Sequence, residues 1–466
     1  MLLAGRPGSG KSTTLKQLLL ELAGLDQPEY IPVYVQLKSD RPITDLIIAE
    51  FRRAKVRVTP EQLDDWLLQD QLLLLLDGVN EIPSEVQRRK LQEFREDNPN
   101  TPMIFTTRDL SVGGDLRIEK RLEMRPLSES QMWDFVQKYL GQRGLSDQTN
   151  TLLKQLKDRL REIAETPLLL KMLCDVFDPA MRQIPQSKGE LLRQFDAKYE
   201  EFKGLPPVSA DFRRFKPELL RHLAFCMMQG DPAKPTETWL TLERSQAEKI
   251  LEDLLTGRAE APGQRAKEWL EDLLKHHLLQ VATDPREIEF HHQLFQEYYA
   301  AEELRLQLPE LLKDENKFKR DYLNLLKWTE PIALMLALLD EEDQALRVVE
   351  LAMDVDLMLG AHWVGNVSNY LQSIFVNWLQ KLNIPSLLKV RCLRQSCSKL
   401  TVEFLEKNLN PNTEESYIRT IEVLANLGDE KAFSILLEEL RKAVQTKKHI
   451  WQLSDILISY GMIELY

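Results

Sequence analysis

Cysteine is scarce in this chain. Its four copies, Cys174, Cys226, Cys392 and Cys397, have neither metal-ligand spacing nor the density of a disulfide scaffold, which leaves reduced thiols in a cytoplasmic setting. Long apolar runs are missing too. The longest candidate, Ile332 to Leu339, sits between Glu330 and Asp340 and falls short of the ~18 residues that a membrane-crossing helix needs. Positive charge is in deficit, with 61 Lys+Arg against 73 Asp+Glu and a net charge of -12, which argues against a surface built mainly for nucleic acid or anionic lipid. The adjacent histidine pairs, His276-His277 and His291-His292, lack metal-ligand spacing.

What is present begins at the N-terminus. Ala4 to Thr13 reads AGRPGSGKST and fits G-x-x-x-x-G-K-[ST] without a mismatch. In a phosphate-binding loop of this kind, Gly5, Gly8 and Gly10 let backbone N–H groups turn inward, and Arg6, Pro7, Ser9 and Thr13 complete the cradle. Lys11 reaches the terminal phosphates and the Ser12 hydroxyl joins a magnesium shell. The apolar start Met1 to Ala4 reads as the end of a strand, and Leu15, Leu18, Leu19 and Leu22 make the apolar stripe of a following helix. Phosphate then sits at a helix N-terminus. Because Met1 opens directly into the strand, a segment preceding it is expected in the full sheet.

A second motif, QLLLLLDGVNE from Gln71 to Glu81, reads as a buried parallel strand ending in Asp77, where a P-loop protein holds magnesium. Glu81 has two readings: an acid at a helix N-terminus, or the group that polarises an attacking water. Pro102 to Thr107 is a further strand, and Arg108 after it is either a solvated end or a sensor of a γ-phosphate. Tyr30 to Leu37 reads as a strand whose Pro32 places its start near a sheet edge. Ile43 to Lys55, Pro60 to Gln69 and Ser84 to Asn98 read as helices. Strand and helix alternating without hairpin signals predict a parallel α/β sheet with its ligands at the carboxyl edge.

From Leu127 the pattern turns helical. Ser128 and Gln131 form a capping box for a helix through Tyr139, and no strand is expected before about residue 278. In ETPLLL, Glu165 to Leu170, Pro167 falls in a first helical turn. Trp239 to Leu255 and Arg265 to His277 read as helices, followed by strands Leu278 to Ala282 and Ile288 to His292 around a turn at Thr283 to Glu287, a winged-helix pattern. His291 and His292 project to opposite sides of a strand, and His292 by itself reads as a structural histidine. Beyond 305 the chain is amphipathic helix. Tyr417, Ile421, Leu424 and Ala425 form one stripe, Phe433, Leu436, Leu437 and Leu440 another, and Leu453, Ile456, Leu457 and Tyr460 a third; a turn at Leu427-Gly428-Asp429 recurs at Tyr460-Gly461, as in an α-solenoid.

Taken in order, these motifs resemble the NACHT family of signal-transducing P-loop ATPases, within the STAND class. GRPGSGKST resembles its Walker A, LLLLLDGVNEIP its Walker B, IFTTRD its sensor strand, and RPLSESQ the entry to its first helical domain. ETPLLL looks like the region whose proline, Pro167 here, approaches adenine. FHHQLFQEYYAA is similar to the family's winged-helix end, where the resemblance implies that His292 touches the β-phosphate of ADP. The resemblance covers residues 1 to about 304, and the tail looks like HEAT-type repeats. Asn80 departs from the pattern, standing where many members carry an acid, so slow hydrolysis is expected.

The resemblance implies an α/β P-loop domain over 1–125, a helical domain over 126–205, a winged helix over 206–304 and a HEAT-like tail over 305–466. It implies an ATP/ADP switch with Mg2+, self-association in the ATP state, and an unidentified protein partner for the tail. Two other readings stay open: a scaffold that holds nucleotide without turning it over, and a small-molecule kinase, for which no second substrate site is evident.

Overall fold

The computed structural model describes residues 1–5, 8–26, 28–38, 41–82, 85–108, 118, 120–156, 163–178, 184–185, 187–203, 209–275, 279–282, 284–396, 399–407, 409, 414–427 and 430–459. The chain divides into two compact units, Met1–Glu303 and Leu304–Tyr466.

The leucine strand sets the architecture of the first unit. β3 (Leu72–Asp77) lies between β2 (Ile31–Gln36) and β4 (Met103–Thr107); β1 (Leu2–Ala4) and β5 (Arg121–Glu123) complete a sheet in the order β2-β3-β4-β1-β5. All its pairings are parallel. Pro32 lies on the edge strand β2, where a residue without an N–H is tolerated.

Alternation along the strands divides the sheet into two faces. Val33, Val35, Leu72, Leu74, Leu76, Met103 and Phe105 share one face. There they pack with α2 (Ile43–Arg53), α3 (Pro60–Leu68) and α4 (Glu85–Asp97) through Ile47, Phe51, Leu63, Leu67, Leu91 and Phe94. Tyr34, Leu75, Asp77 and Thr106 are one residue out of phase and take the opposite face, against which α1 (Lys11–Ala23) packs. α3 starts at a capping box in which Thr59 Oγ1 accepts the Gln62 N–H and the Gln62 side chain accepts the Thr59 N–H.

The capping box at Ser128 and Gln131 also forms, opening α5 (Glu129–Gln142). α6 (Thr149–Gln155), α7 (Pro167–Val176) and α8 (Lys188–Lys203) follow. The Tyr139 hydroxyl donates to Asp175 at 2.7 Å and Lys171 donates to the same carboxylate at 2.8 Å, which ties α5 to α7. Next come α9 (Ala210–Gln229), β6 (Thr241–Glu243), α10 (Arg244–Leu255), α11 (Pro262–Lys275), β7 (Leu279–Val281) and β8 (Glu287–Phe290). The three strands form an antiparallel sheet in the order β6-β8-β7. α12 (Gln293–Leu311) carries the boundary between the two units.

Three expectations need correction. The helix expected from Trp239 begins at Arg244, because Thr241–Glu243 pairs with β8 as a strand. β5 was not expected either; its three residues are exposed and carry no apolar run, so only the neighbouring β1 defines them as a strand. His292 is not the end of a strand: β8 stops at Phe290, and His292 leads into α12. Arg6, Pro7, Ser84, His276, His277, Leu278, Thr283, Cys397, Gly428, Asp429, Tyr460 and Gly461 lie outside the described residues.

The second unit is built from helices. α13 (Glu315–Phe318) leads to α14 (Thr329–Leu338), α15 (Glu342–Val355), α16 (Leu357–Val364), α17 (Asn369–Lys381), α18 (Ser386–Ser396), α19 (Val402–Lys407), α20 (Glu414–Leu427), α21 (Glu430–Thr446) and α22 (Ile450–Ser459). Contact passes along the chain, α15 on α16, α16 on α18, α18 on α20, and α20 on both α21 and α22. The buried Trp363 indole donates to the Thr329 carbonyl at 3.0 Å and anchors α16 on α14. The Tyr417 stripe is buried as expected; of the next stripe Leu436 is buried but Phe433 is exposed, and Ala432 and Ile435 join Leu436 on a helix face one residue around.

Leu74 is fully enclosed in the central strand, so Leu74→Ala should cost about 2–5 kcal/mol and lower the thermal midpoint of the first unit. Leu68→Ala, at a side chain 83% exposed, should leave it unchanged within about 0.5 kcal/mol. Calorimetry of the two variants checks both.

Candidate functional site

The phosphate loop joins β1 to α1 at the carboxyl edge of the sheet. Gly5 N–H donates to the Thr107 carbonyl at 3.2 Å, fixing the start of the loop beside β4. Gly8 has φ +77, a left-handed conformation, and a Cβ there would lie 2.9 Å from Leu168 Cβ, so only glycine fits. Gly10 precedes the helix with φ 98, and Lys11, Ser12 and Thr13 form the first turn of α1. Ser12 and Thr13 are exposed. Lys11 Nζ donates to the Gly5 carbonyl at 2.5 Å, which lays its ammonium across the loop. The Ser9 hydroxyl is buried with no hydrogen-bond partner among the described residues, and a Cβ on Gly5 would come within 2.9 Å of it. An orphaned hydroxyl inside a glycine cradle at a helix N-terminus fits a bound phosphate.

Pro167 takes the first turn of α7 after Thr166. The Leu168 N–H donates to the Gly8 carbonyl at 3.3 Å, so the segment holding Pro167 lies directly against the phosphate loop.

Asp77 closes β3 and is buried. Its Oδ2 accepts the Tyr34 hydroxyl at 2.7 Å, and its Oδ1 accepts the Thr106 hydroxyl at 2.5 Å. Thr106 in turn accepts the Gly78 N–H at 2.8 Å. Each carboxylate oxygen keeps a lone pair beyond these bonds, and an oriented oxygen donor of this kind suits magnesium. Gly78 turns the chain with φ +90, and a 3-10 turn over Val79–Glu81 brings Glu81 back over it.

Arg108 does not point to open solvent. Its guanidinium donates to Glu297 at 2.6 Å and to Gln293 at 2.7 Å, both on α12, while its backbone N–H donates to Asn80 Oδ1 at 3.2 Å. Lys38, just beyond β2, makes a parallel contact. Its ammonium lies 3.3 Å from Glu289 on β8 and 3.9 Å from Glu81. Glu289 is itself held by Gln280 at 2.7 Å, and Gln280 accepts from His291 at 2.8 Å.

Burial works to lower the Lys38 pKa, but Glu81 and Glu289 outweigh it and hold the ammonium above its ordinary range. Burial pushes the Glu81 carboxyl up, and the cations Lys38 and Arg108 only partly offset this. An acid poised in that way is suited to proton transfer. His292 Nδ1 accepts the Leu294 N–H at 3.0 Å, which leaves the neutral ring its proton on Nε2. Burial, followed by the charges of Arg108 and Lys38, lowers its pKa from 6.5 to about 3. His291 and His292 therefore have separate partners, although neither lies in a strand.

The sequence reading missed Tyr34, Lys38, Thr106, Glu289, Gln293 and Glu297. Lys38 had a usable signal, since it follows a strand at the same edge as Asp77 and Arg108. The acids on β8 and α12 had none, because their approach to this edge is tertiary. Among the described residues no cluster of His, Cys, Asp and Glu could hold a metal by itself, and no helix is long and apolar enough to cross a membrane. Cys174, Cys226 and Cys392 are free, with burial raising their pKa values to about 12, 11 and 11.

The depressed His292 pKa has a definite sign. Below pH 6.5 the unfolded ring takes a proton that the folded ring refuses, so stability falls as pH drops toward about 3 and is level above 6.5 on this account. Wild type should lose more stability between pH 7.5 and 5.5 than His292→Asn, which keeps an acceptor for the Leu294 N–H. Urea titrations at the two pH values measure the difference.

Comparison with known proteins gives one domain match and a set of distant solved structures. Residues 1–143 match the family model for the NACHT domain. No curated protein matches the chain significantly. Similar solved structures include a STAND protein with a tetratricopeptide repeat sensor from Pyrococcus horikoshii, at 12% identity and TM-score 0.31, covering 99% of this chain and 68% of that one. Drosophila ORC bound to DNA has 12% identity and TM-score 0.24 over 64% of this chain and 80% of that one. The Aeropyrum pernix ORC1 protein in complex with DNA has 14% identity and TM-score 0.27 over 65% and 86%. Scores this low establish no common fold. The matched stretch contains the phosphate loop, the β3 acid and the Arg108 strand end in one parallel sheet, and residues 1–143 are in this way similar to the NACHT domain of P-loop NTPases.

Proposed function

We propose that the chain is a slow ATPase acting as an ADP/ATP-controlled switch, closed with ADP and free to self-associate with ATP. One observation carries this reading: two cations at the carboxyl edge of the sheet, Arg108 and Lys38, are bonded to acids of the segment around His292. A γ-phosphate would compete with Glu297 and Gln293 for the Arg108 guanidinium. A nucleotide that draws Arg108 away therefore weakens the hold on α12.

The residues divide the work. Lys11 leaves the Gly5 carbonyl to bond the terminal phosphates, the loop amides and Ser9 hold the remaining phosphate oxygens, and Pro167 borders the base. Bound magnesium would neutralise phosphate charge, held by Ser12 and Asp77. Glu81, its pKa raised by burial, orients and accepts a proton from the attacking water. His292 presents Nε2–H to the β-phosphate and so ties the winged-helix region to ADP. Inverting a 1:99 equilibrium takes about 5.5 kcal/mol of differential binding, which a γ-phosphate met by Arg108 and Lys11 with magnesium can supply.

We assign 1–125 to the nucleotide-binding domain, 126–205 to a helical domain, 206–304 to a winged helix and 305–466 to a HEAT-like tail that receives a protein partner. The free, protonated cysteines support a cytoplasmic setting.

Light scattering of the purified chain in magnesium should give one mass with ADP and a larger one with a non-hydrolysable ATP analogue. Lys11→Ala should abolish nucleotide binding and the shift, while Glu81→Gln should keep the larger mass with ATP itself. An unchanging mass with tightly held nucleotide and no turnover would replace the switch with a scaffold. Glu297→Gln, which takes the charge partner from Arg108, should lower the ATP concentration at the half-way point of the shift by about tenfold, equivalent to about 1.4 kcal/mol. No change in that midpoint would remove the Arg108 contact from the switch.

A further inference from the structure

We propose that Tyr34 is a positioning residue for Asp77, its hydroxyl fixing the orientation in which that carboxylate meets magnesium. The inference rests on the reading of Asp77 as the magnesium ligand and goes beyond it, since Tyr34 belongs to none of the motifs of the phosphate site.

The geometry comes from strand alternation. Asp77 ends the central strand β3, and Gln36 of β2 stands opposite it in register. Tyr34 lies two residues earlier on β2, hence on the same face as Asp77 but about 6.6 Å back along the strand. A phenol is long enough to cover that distance, whereas serine or threonine is not. On the other side, Thr106 of β4 needs only a short hydroxyl to reach Asp77. Each carboxylate oxygen therefore receives one hydroxyl, from opposite flanking strands, at 2.7 Å from Tyr34 and 2.5 Å from Thr106. With one donor the carboxylate could still swing about its Cα–Cβ bond. With one donor on each oxygen, its plane is fixed and the remaining lone pairs keep one direction.

The phenol is itself held. Lys16 of α1 places its ammonium 5.4 Å from the ring centre, so the same helix that begins at the phosphate loop clamps the residue that orients Asp77. A phenol is neutral at ordinary pH and so donates its proton to the carboxylate. Outer partners of metal-bound carboxylates typically contribute 10–100-fold to metal affinity.

The test is a magnesium titration of the affinity for a fluorescent ADP analogue, in wild type and Tyr34→Phe, with a parallel measurement in EDTA. Tyr34→Phe should need at least about tenfold more magnesium to reach half its maximal tightening, with EDTA affinity unchanged. Thr106→Ala removes the donor to the other oxygen and should shift the same way, which serves if Tyr34→Phe does not fold. Equal magnesium requirements in wild type and Tyr34→Phe would overturn the inference while leaving Asp77 as ligand. An equal loss of affinity with and without magnesium would overturn it in favour of a packing role. If wild type and Asp77→Asn both showed no response to magnesium, the assignment of Asp77 would fall, and the role of Tyr34 with it.

Discussion

A strand buried on both faces can end in a charge only if its neighbours receive that charge. β3 meets this constraint at Asp77, and the site is arranged around the way it does so. The leucines before it fill the cores above and below the sheet, which leaves no freedom to slide the strand, since a one-residue slip would exchange its two faces. Asp77 therefore has a fixed place, and hydroxyls from β2 and β4 meet it there. Gly78 then reverses the chain and returns Glu81 to the same edge. Two acids a few residues apart thus receive different surroundings, one held by hydroxyls and one between cations.

A second layer of order comes from β8 and the helix that follows it. Arg108 and Lys38 stand at the ends of strands on either side of β3, and each finds a carboxylate partner on that segment. Buried ion pairs of this sort are weak sources of net stability, because desolvation offsets most of the attraction, yet breaking one partner is costly. That combination suits the proposed switch, in which the contact holds in one state and is exchanged for another anion in the next.

Much of the first unit was legible from local pattern. The apolar alternation of β2, the leucine run of β3, the helical stripes of α2 and α3, and the capping box at Ser128 all report on neighbours within a few residues, and the chain forms them as read. β5 and β6 were not legible. Each is three residues long, and each exists because another strand offers it a ladder. The site followed the same division. Lys11 was visible in its motif and Asp77 and Arg108 as strand ends, whereas Tyr34 looked like an ordinary β-forming aromatic, and Glu297 like one more charge on a helix. Their roles depend on which face a strand presents and on where a helix some 190 residues away comes to rest.

The hydrogen bond from Leu168 to the Gly8 carbonyl gives the nucleotide-binding region a different boundary from the one its motifs mark. The stretch recognisable as a NACHT domain stops at residue 143, and it contains all the phosphate-loop residues. Yet the loop leans on the start of α7, whose leucine also fills the space that a side chain at Gly8 would take. A proteolytic fragment cut after 143 would keep its signature and lose the surface against which its phosphate loop is shaped. The surface that backs the loop, at the start of Pro167–Val176, lies beyond that boundary.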